Sequence, residues 1–242
     1  LWQAFKSEVL AANPDALILS GDLSLNGEKA NHLEFAEKLR EIEEAGVPVY
    51  VIPGNHDINK PDAGEYFGDQ RTDVESVTSE EFREIYTDFG YNEAKSGAPD
   101  SLSYLVELND TTWLMMLDTT VCEPENEVYG EIKEGTLEWM EECLKAAAKV
   151  PVEVMERAVS VLDDMEFLAL HGSRLAVSDA GVGIQGIRAA LLGAVMSVYI
   201  NTKMMKDREY AETVNSQAEL LIKKGTEQAD RIYEIVLKAV RG

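Results

Sequence analysis

Four residues carry the plainest chemistry in this sequence. Asp22 follows Gly21, and Asn55, His56 and Asp57 follow Gly54, with Asn55 33 positions after Asp22. A carboxylate can bridge two divalent cations with its two oxygens, while an amide oxygen completes a coordination shell. A neighbouring imidazole exchanges a proton with a leaving oxygen near neutral pH. The glycines let backbone approach a ligand closely. Taken alone, Gly-Asn-His-Asp also reads as a plain turn, since Gly, Asn and Asp are turn formers. Its pairing with Gly-Asp at the end of a preceding strand favours the chemical reading.

The elements that must position these residues follow from periodicity. Trp2, Phe5, Val9 and Leu10 share one helical face before Asn13-Pro14-Asp15. Ala16 to Ser20 is a short apolar run entering Gly21-Asp22, which predicts a strand buried on both faces. Leu33, Ala36, Leu39 and Ile42 then follow a 3.6 period up to Gly46, an amphipathic helix with a glycine after its C-terminus. Val47 to Ile52 is a second β-rich run ending in Pro53-Gly54-Asn55-His56-Asp57. Strand, helix, strand predicts a right-handed βαβ crossover and two parallel neighbours. Asp22 and the Asn55–Asp57 cluster then lie past the carboxyl ends of those strands, where open α/β sheets bind ligands.

Further along, Ser101–Leu108 and Thr112–Thr119 read as a strand pair around Asn109-Asp110, and Ser79–Phe89 as a short helix. The stretch Gly54–Pro99 reads equally well as a functional loop over the site or as a decorative insertion. Thr136 starts a helix with Leu137, Met140 and Leu144 on one face.

Composition divides the chain. The 242 residues carry a formal net charge of −23, with 22 Lys plus Arg against 45 Asp plus Glu. Residues 1–149 account for −21 of it and residues 150–242 for −2, and all seven prolines lie at or before Pro151. This predicts an α/β part over 1–147 followed by an all-α part over 148–242. A charge of that sign excludes nucleic-acid or membrane-surface binding by bulk charge. It leaves a phosphate-ester substrate open, because a bound divalent metal reverses the sign locally. Cys122 and Cys143 form no disulfide framework and lack metal-ligand spacing, which fits a reducing cytoplasm. The apolar run Ala189–Ile200 falls short of the roughly 20 residues of a membrane span. LWQAFKSEVL has no cationic leader before an apolar core, so no signal peptide and no membrane are expected.

In the second part, Pro151 suits a first helical turn, followed by the stripe Val152, Met155, Val159 and Leu162 to about Leu170. Ser178-Asp179 suits a cap for the next helix, which runs to about Thr202 and holds Gly181, Gly183, Gly186 and Gly193. Each interior glycine costs about 1 kcal/mol against alanine, so close packing or close ligand approach is implied. Asp207 caps a final helix. Three long helices bury too little apolar surface alone, so a homo-oligomer through these C-terminal helices is expected.

Gly21-Asp22 and Gly54-Asn55-His56-Asp57, with the stretch Ser20 to Glu28, resemble the calcineurin-like metallophosphoesterases over about Leu1–Leu144. The resemblance implies that Asp22 bridges two metals and Asn55 binds the second. It makes His56 the residue acting on the leaving-group oxygen, with Asp57 orienting its ring. The implied cofactor is a divalent metal (Mn, Fe, Zn or Mg), and a metal-activated water would attack phosphorus in line. The family's Asp-x-His motif would stand ahead of the first residue here, and no Gly-His-x-His is present. With three histidines in all, a full two-metal site is not expected from one chain, and one weakly bound ion is.

Val150 to Glu156, Ser178 to Gly183 and Ile200 to Lys203 resemble the cyclodeaminase/cyclohydrolase family that acts on tetrahydrofolate one-carbon derivatives. That family is all-helical and dimeric, and its N-terminal folate-binding half has no counterpart here. The leading functional reading is an impaired metal-dependent phosphoesterase. A folate cyclodeaminase/cyclohydrolase-like protein and a non-catalytic helical assembly module are the alternatives.

Overall fold

A computed structural model describes residues 1–110, 112–123 and 126–242. It divides into two compact units, Leu1–Trp139 and Met140–Gly242.

In the first unit, α1 (Trp2–Ala12) ends where Asn13 takes a left-handed conformation. Strand β1 (Leu17–Leu19) pairs in parallel with β2 (Val49–Val51), and α2 (Lys29–Glu43) makes the crossover. Two expectations are corrected here. β1 is not buried on both faces, because Ile18 is 49% exposed. The buried face of α2 is His32, Ala36, Leu39 and Ile42, while Leu33 is half exposed. Both faces satisfy a helical period, and the core selects the one whose histidine finds partners.

An antiparallel hairpin arises within Gly54–Pro99, where the sequence predicts only the short helix Ser79–Phe89. β3 (Gly64–Phe67) and β4 (Gln70–Asp73) form a hairpin. The helix α3 (Ser79–Ile85) starts with a reciprocal Thr78–Glu81 capping box and passes into a wide turn over Thr87–Tyr91. The expected strand pair is present as β6 (Tyr104–Asn109) and β7 (Thr112–Met116), with a short β5 (Ser96–Gly97) on its edge. β8 (Thr120–Val121) pairs with β9 (Glu127–Gly130).

β2 is fully buried, and the side of Val51 facing away from β1 is completed by a side chain. The Tyr104 hydroxyl accepts the Val51 N–H at 3.1 Å and donates to the Val51 carbonyl at 2.9 Å. A phenol thus replaces one step of a strand ladder and carries Tyr50, Ile52, Val106 and Met116 into one apolar cluster. The main core of the unit packs α2 and α3 against β2 through Leu39, Ile42, Val51, Phe82, Tyr86 and Phe89.

The helices of the second part are longer than their patterns suggest. α4 (Glu134–Ser160) runs straight through Pro151, so Pro151 lies mid-helix and not at a helix start. α5 (Leu162–His171) follows, then α6 (Val177–Met204) and α7 (Arg208–Arg241). Asp207 caps α7 by accepting the Tyr210 N–H at 3.0 Å. Ser178 and Asp179 sit inside the first turn of α6 and make no cap, because the helix starts one residue earlier. Gly181 gives α7 its close approach, since a Cβ there would meet Val236 Cγ1 at 2.8 Å. Gly225 on α7 does the same for Leu191.

Candidate active site at the strand ends

The two strand ends touch backbone to backbone, and glycine is what allows it. A Cβ on Gly21, whose φ is +95°, would lie 2.3 Å from the Gly54 nitrogen. A Cβ on Gly54 would in turn lie 2.3 Å from Asp22 Oδ1. Asp22 itself sits in the left-handed region with φ 53°, a conformation that costs a residue with a side chain of order 1 kcal/mol and tends to mark functional loops. Its exposed carboxylate accepts the His56 N–H through Oδ1 at 3.2 Å, which ties the two loops together.

His56 is oriented by a backbone carbonyl. Its Nδ1 lies 2.6 Å from the Leu25 oxygen, so Nδ1 carries the proton and donates it. In the neutral ring, Nε2 is then the nitrogen left to accept or exchange a proton. Asp57 does not orient this ring, contrary to the role the motif implies for it. Its carboxylate is buried and turned the other way. Oδ1 accepts N–H bonds from Leu23 at 2.8 Å and Ser24 at 2.9 Å, and Oδ2 accepts from Gly54 at 2.8 Å. The Ser24 hydroxyl adds to the same cluster at 3.2 Å. Asp57 therefore holds the shape of both loops while His56 and Asp22 present their groups.

Three further residues build the site that the sequence reading did not single out. His32 is fully buried beneath the loop, with its Nε2 donating to the Asp57 carbonyl at 3.1 Å and its Nδ1 accepting from the Tyr86 hydroxyl at 2.8 Å. Burial holds its imidazole below the ordinary value, although the Asp57 carboxylate and carbonyl pull the other way. Its 3.8 Å approach to that carboxylate is thus a contact of a neutral ring and not an ion pair. Asn126 donates to the carbonyls of Asn55 at 2.9 Å and Ile58 at 2.8 Å, fixing the far side of the loop. Leu25 acts through its carbonyl, which no side-chain pattern reveals. A signal for His32 was present, because it stands four and seven positions before the buried Ala36 and Leu39.

The residues present do not fit a two-metal centre. No group of three or more His, Cys, Asp or Glu converges among the described residues. The Asp57 carboxylate is consumed by backbone N–H groups and His32 by Tyr86 and Asp57. What remains toward an ion is the Asp22 carboxylate and the Asn55 amide. A cavity of about 900 Å³ opens beside the loop, lined by Leu25, Glu28, Lys29, Glu65, Tyr66 and Asp73 among others. Asp22, Asn55 and His56 do not line it.

The comparison with known families decides the ancestry. The model for the calcineurin-like phosphoesterase family matches residues 1–171. The chain belongs to the calcineurin-like phosphoesterase family. Members of this family typically use divalent metals, and among the described residues no group of three or more His, Cys, Asp or Glu is assembled to hold one. A second family model, formiminotransferase-cyclodeaminase, matches residues 124–220, and the two matches overlap across 124–171. Among curated proteins, a methenyltetrahydrofolate cyclohydrolase of Methylorubrum extorquens is 35% identical over 101 residues, 42% of this chain and 49% of that protein. Formimidoyltransferase-cyclodeaminases of Dictyostelium discoideum and Gallus gallus are each 25% identical over 40% and 45% of this chain. The chain spans 49% of the cyclohydrolase and 18% and 20% of the two cyclodeaminases. The α6 sequence lies inside this second match, where Ser178 and Asp179 are exposed, and Lys203 is exposed in its last turn. His171 ends α5 with its ring against Phe167, at the surface.

Proposed function

We propose that this chain is a phosphoesterase-type hydrolase of small phosphate esters whose site is impaired. The observation that carries the reading is the Leu25–His56 hydrogen bond, which fixes the tautomer and leaves Nε2 to exchange a proton with an ester oxygen. Asp22, whose carboxylate accepts the His56 N–H, would supply the polar group for an incoming phosphate's counter-ion, with Asn55, the residue before His56, as its companion. Because the donor set does not assemble a metal pair, catalysis by these residues alone amounts to proton exchange, worth roughly 10²–10⁴-fold at best.

The test is hydrolysis of a nitrophenyl phosphodiester by the purified chain, with and without Mn²⁺ or Mg²⁺. A weak rate is expected, together with less than one tightly held ion per chain by elemental analysis. Asp22→Asn and His56→Ala should each remove most of that rate. Robust turnover surviving both changes overturns the assignment. Robust turnover abolished by them would mean that further ligands come from outside these residues.

A second reading rests on the 35% identity over 101 residues to a cyclohydrolase and on the cyclodeaminase family match over 124–220. In it, the helices retain a scaffold for a tetrahydrofolate one-carbon derivative, with Ser178 and Asp179 at the exposed start of α6. A titration with a reduced folate, read by fluorescence, tests it. Absence of saturable binding removes this reading and leaves the first untouched.

A further inference from the structure

Four exposed apolar side chains of the first unit meet in one place. Leu25, Leu33, Tyr66 and Val74 are all exposed, and all four line the cavity of about 900 Å³ beside the site. Its walls come from the loop after β1, the start of α2, and the β3–β4 hairpin with the residues that follow it. Leu25 belongs to both places, because it lines the cavity while its carbonyl holds the His56 Nδ1–H at 2.6 Å. The organic part of an ester whose phosphate meets His56 thus has an apolar space next to the anchor of that ring.

The charge around this space selects its occupant. Glu28, Glu65, Asp73 and Glu75 line it together with Lys29. Lys29 pairs with Glu81. Arg71, the one basic residue of the hairpin, pairs with Asp73 and donates to the Asp62 carbonyl at 2.8 Å. Both nearby cations are therefore already neutralised, whereas the Glu65 and Glu75 carboxylates make no ion pair among the described residues. The start of α2 does not turn the cavity into an anion site. The Glu28 carboxylate sits there, accepting the Asn26 N–H at 3.0 Å and an Asn31 amide N–H at 3.2 Å, and the Lys29 N–H goes to the Glu75 carbonyl. An apolar space rimmed by carboxylates, with a tyrosine in its wall, suits a cation that carries its own alkyl groups.

We propose that this cavity takes an organic ammonium group, the alcohol part of an aminoalkyl phosphate ester whose phosphate lies at His56. The proposal rests on the phosphoesterase reading for the position of the phosphate, and on the cavity alone for the ammonium group.

The experiment titrates the full chain calorimetrically with phosphocholine, with choline, and with 3,3-dimethylbutyl phosphate, which keeps the shape of phosphocholine but has carbon in place of the charged nitrogen. Phosphocholine should bind about tenfold more tightly than the uncharged isostere at ~20 mM salt, and the ratio should shrink at ~0.5 M. Glu65→Gln and Glu75→Gln should each cut that ratio about threefold, and the double variant should bring it close to one, with far-UV circular dichroism confirming each fold. Tyr66→Leu keeps an apolar wall and should lower the ratio as well. Phosphocholine that does not bind, or binds no better than the isostere, overturns the proposal, as does a ratio that the double variant leaves unchanged. Choline that binds as tightly as phosphocholine overturns the link between the cavity and the ester. If the ratio behaves as expected while the chain hydrolyses no nitrophenyl diester, the phosphoesterase reading fails and the ammonium site stands.

Discussion

Asp57 Oδ2 lies 2.8 Å from the Gly54 nitrogen, and the same carboxylate holds Leu23 and Ser24 across the neighbouring loop. One buried side chain thus locks both strand ends that present Asp22 and His56. Asp57→Ala leaves three backbone donors without acceptors, at about 1–3 kcal/mol each when buried. We expect a loss of at least 3 kcal/mol in urea unfolding followed by tryptophan fluorescence. All three tryptophans, Trp2, Trp113 and Trp139, lie in the first unit, so the probe reports on it. Asp57→Asn keeps one acceptor but turns an amide N–H₂ toward the other donors, so it should cost less than alanine and more than about 1 kcal/mol. A near-neutral alanine variant would return Asp57 to a role in chemistry.

Beneath that loop, His32 makes stability depend on pH. Burial lowers its pKa from the ordinary 6.5, so the unfolded chain takes up a proton at a pH where the folded chain does not. The unfolded state therefore binds more protons in the window below 6.5, and stability falls as pH falls through it. The urea midpoint of the first unit should drop between pH 7.5 and 5.5. His32→Gln should lower stability at pH 7.5 and flatten that drop. An unchanged slope in the variant would assign the pH dependence to other groups.

The Tyr104 phenol stands where a strand would otherwise complete Val51. Tyr104→Phe keeps the ring in its cluster and strips both hydrogen bonds from buried backbone. A cost of about 2–4 kcal/mol is expected from two unsatisfied groups. Gly90 makes the arrangement fit, since it adopts φ +104° and a Cβ there would lie 2.6 Å from the Tyr104 oxygen. Gly90→Ala should therefore cost at least as much as its backbone strain alone, about 1–2 kcal/mol, and raise hydrogen exchange at the Val51 amide. Exchange at Val51 unchanged in both variants would show that the phenol is not its partner in solution.

The βαβ unit was legible because apolar runs ending in Gly-Asp and Gly-Asn-His-Asp report strand ends directly. The β3–β4 hairpin was not, because its residues are largely exposed and show no alternation toward a core. Pro151 misled for a physical reason. A proline is favoured in a first turn, and only packing of Val152 and Met155 against the other helices shows that the helix passes through it. At the site, side-chain positions were readable but partners were not. Leu25 contributes a carbonyl, and Asp57 faces amides from a loop 33 residues earlier. Nothing in its type distinguishes a carboxylate that orients a histidine from one that caps two turns.

Pro151 gives the last prediction. Within α4 it has no N–H to offer the Ala147 carbonyl, four residues earlier, and Ala147 is an exposed residue. A proline in a helix interior costs roughly 3 kcal/mol against alanine, and its stiffening of the unfolded chain returns about 0.4–1 kcal/mol. Pro151→Ala should therefore stabilise the helical unit by about 1–3 kcal/mol, read as a rise of several degrees in the far-UV circular dichroism transition. The neighbouring Val152 and Met155 are buried and keep their places if the helix axis does not change. If it does change, the proline is setting a bend that the packing requires, and the variant should instead melt earlier. A lower transition temperature would thus identify Pro151 as a shaping residue of this helix rather than a tolerated cost.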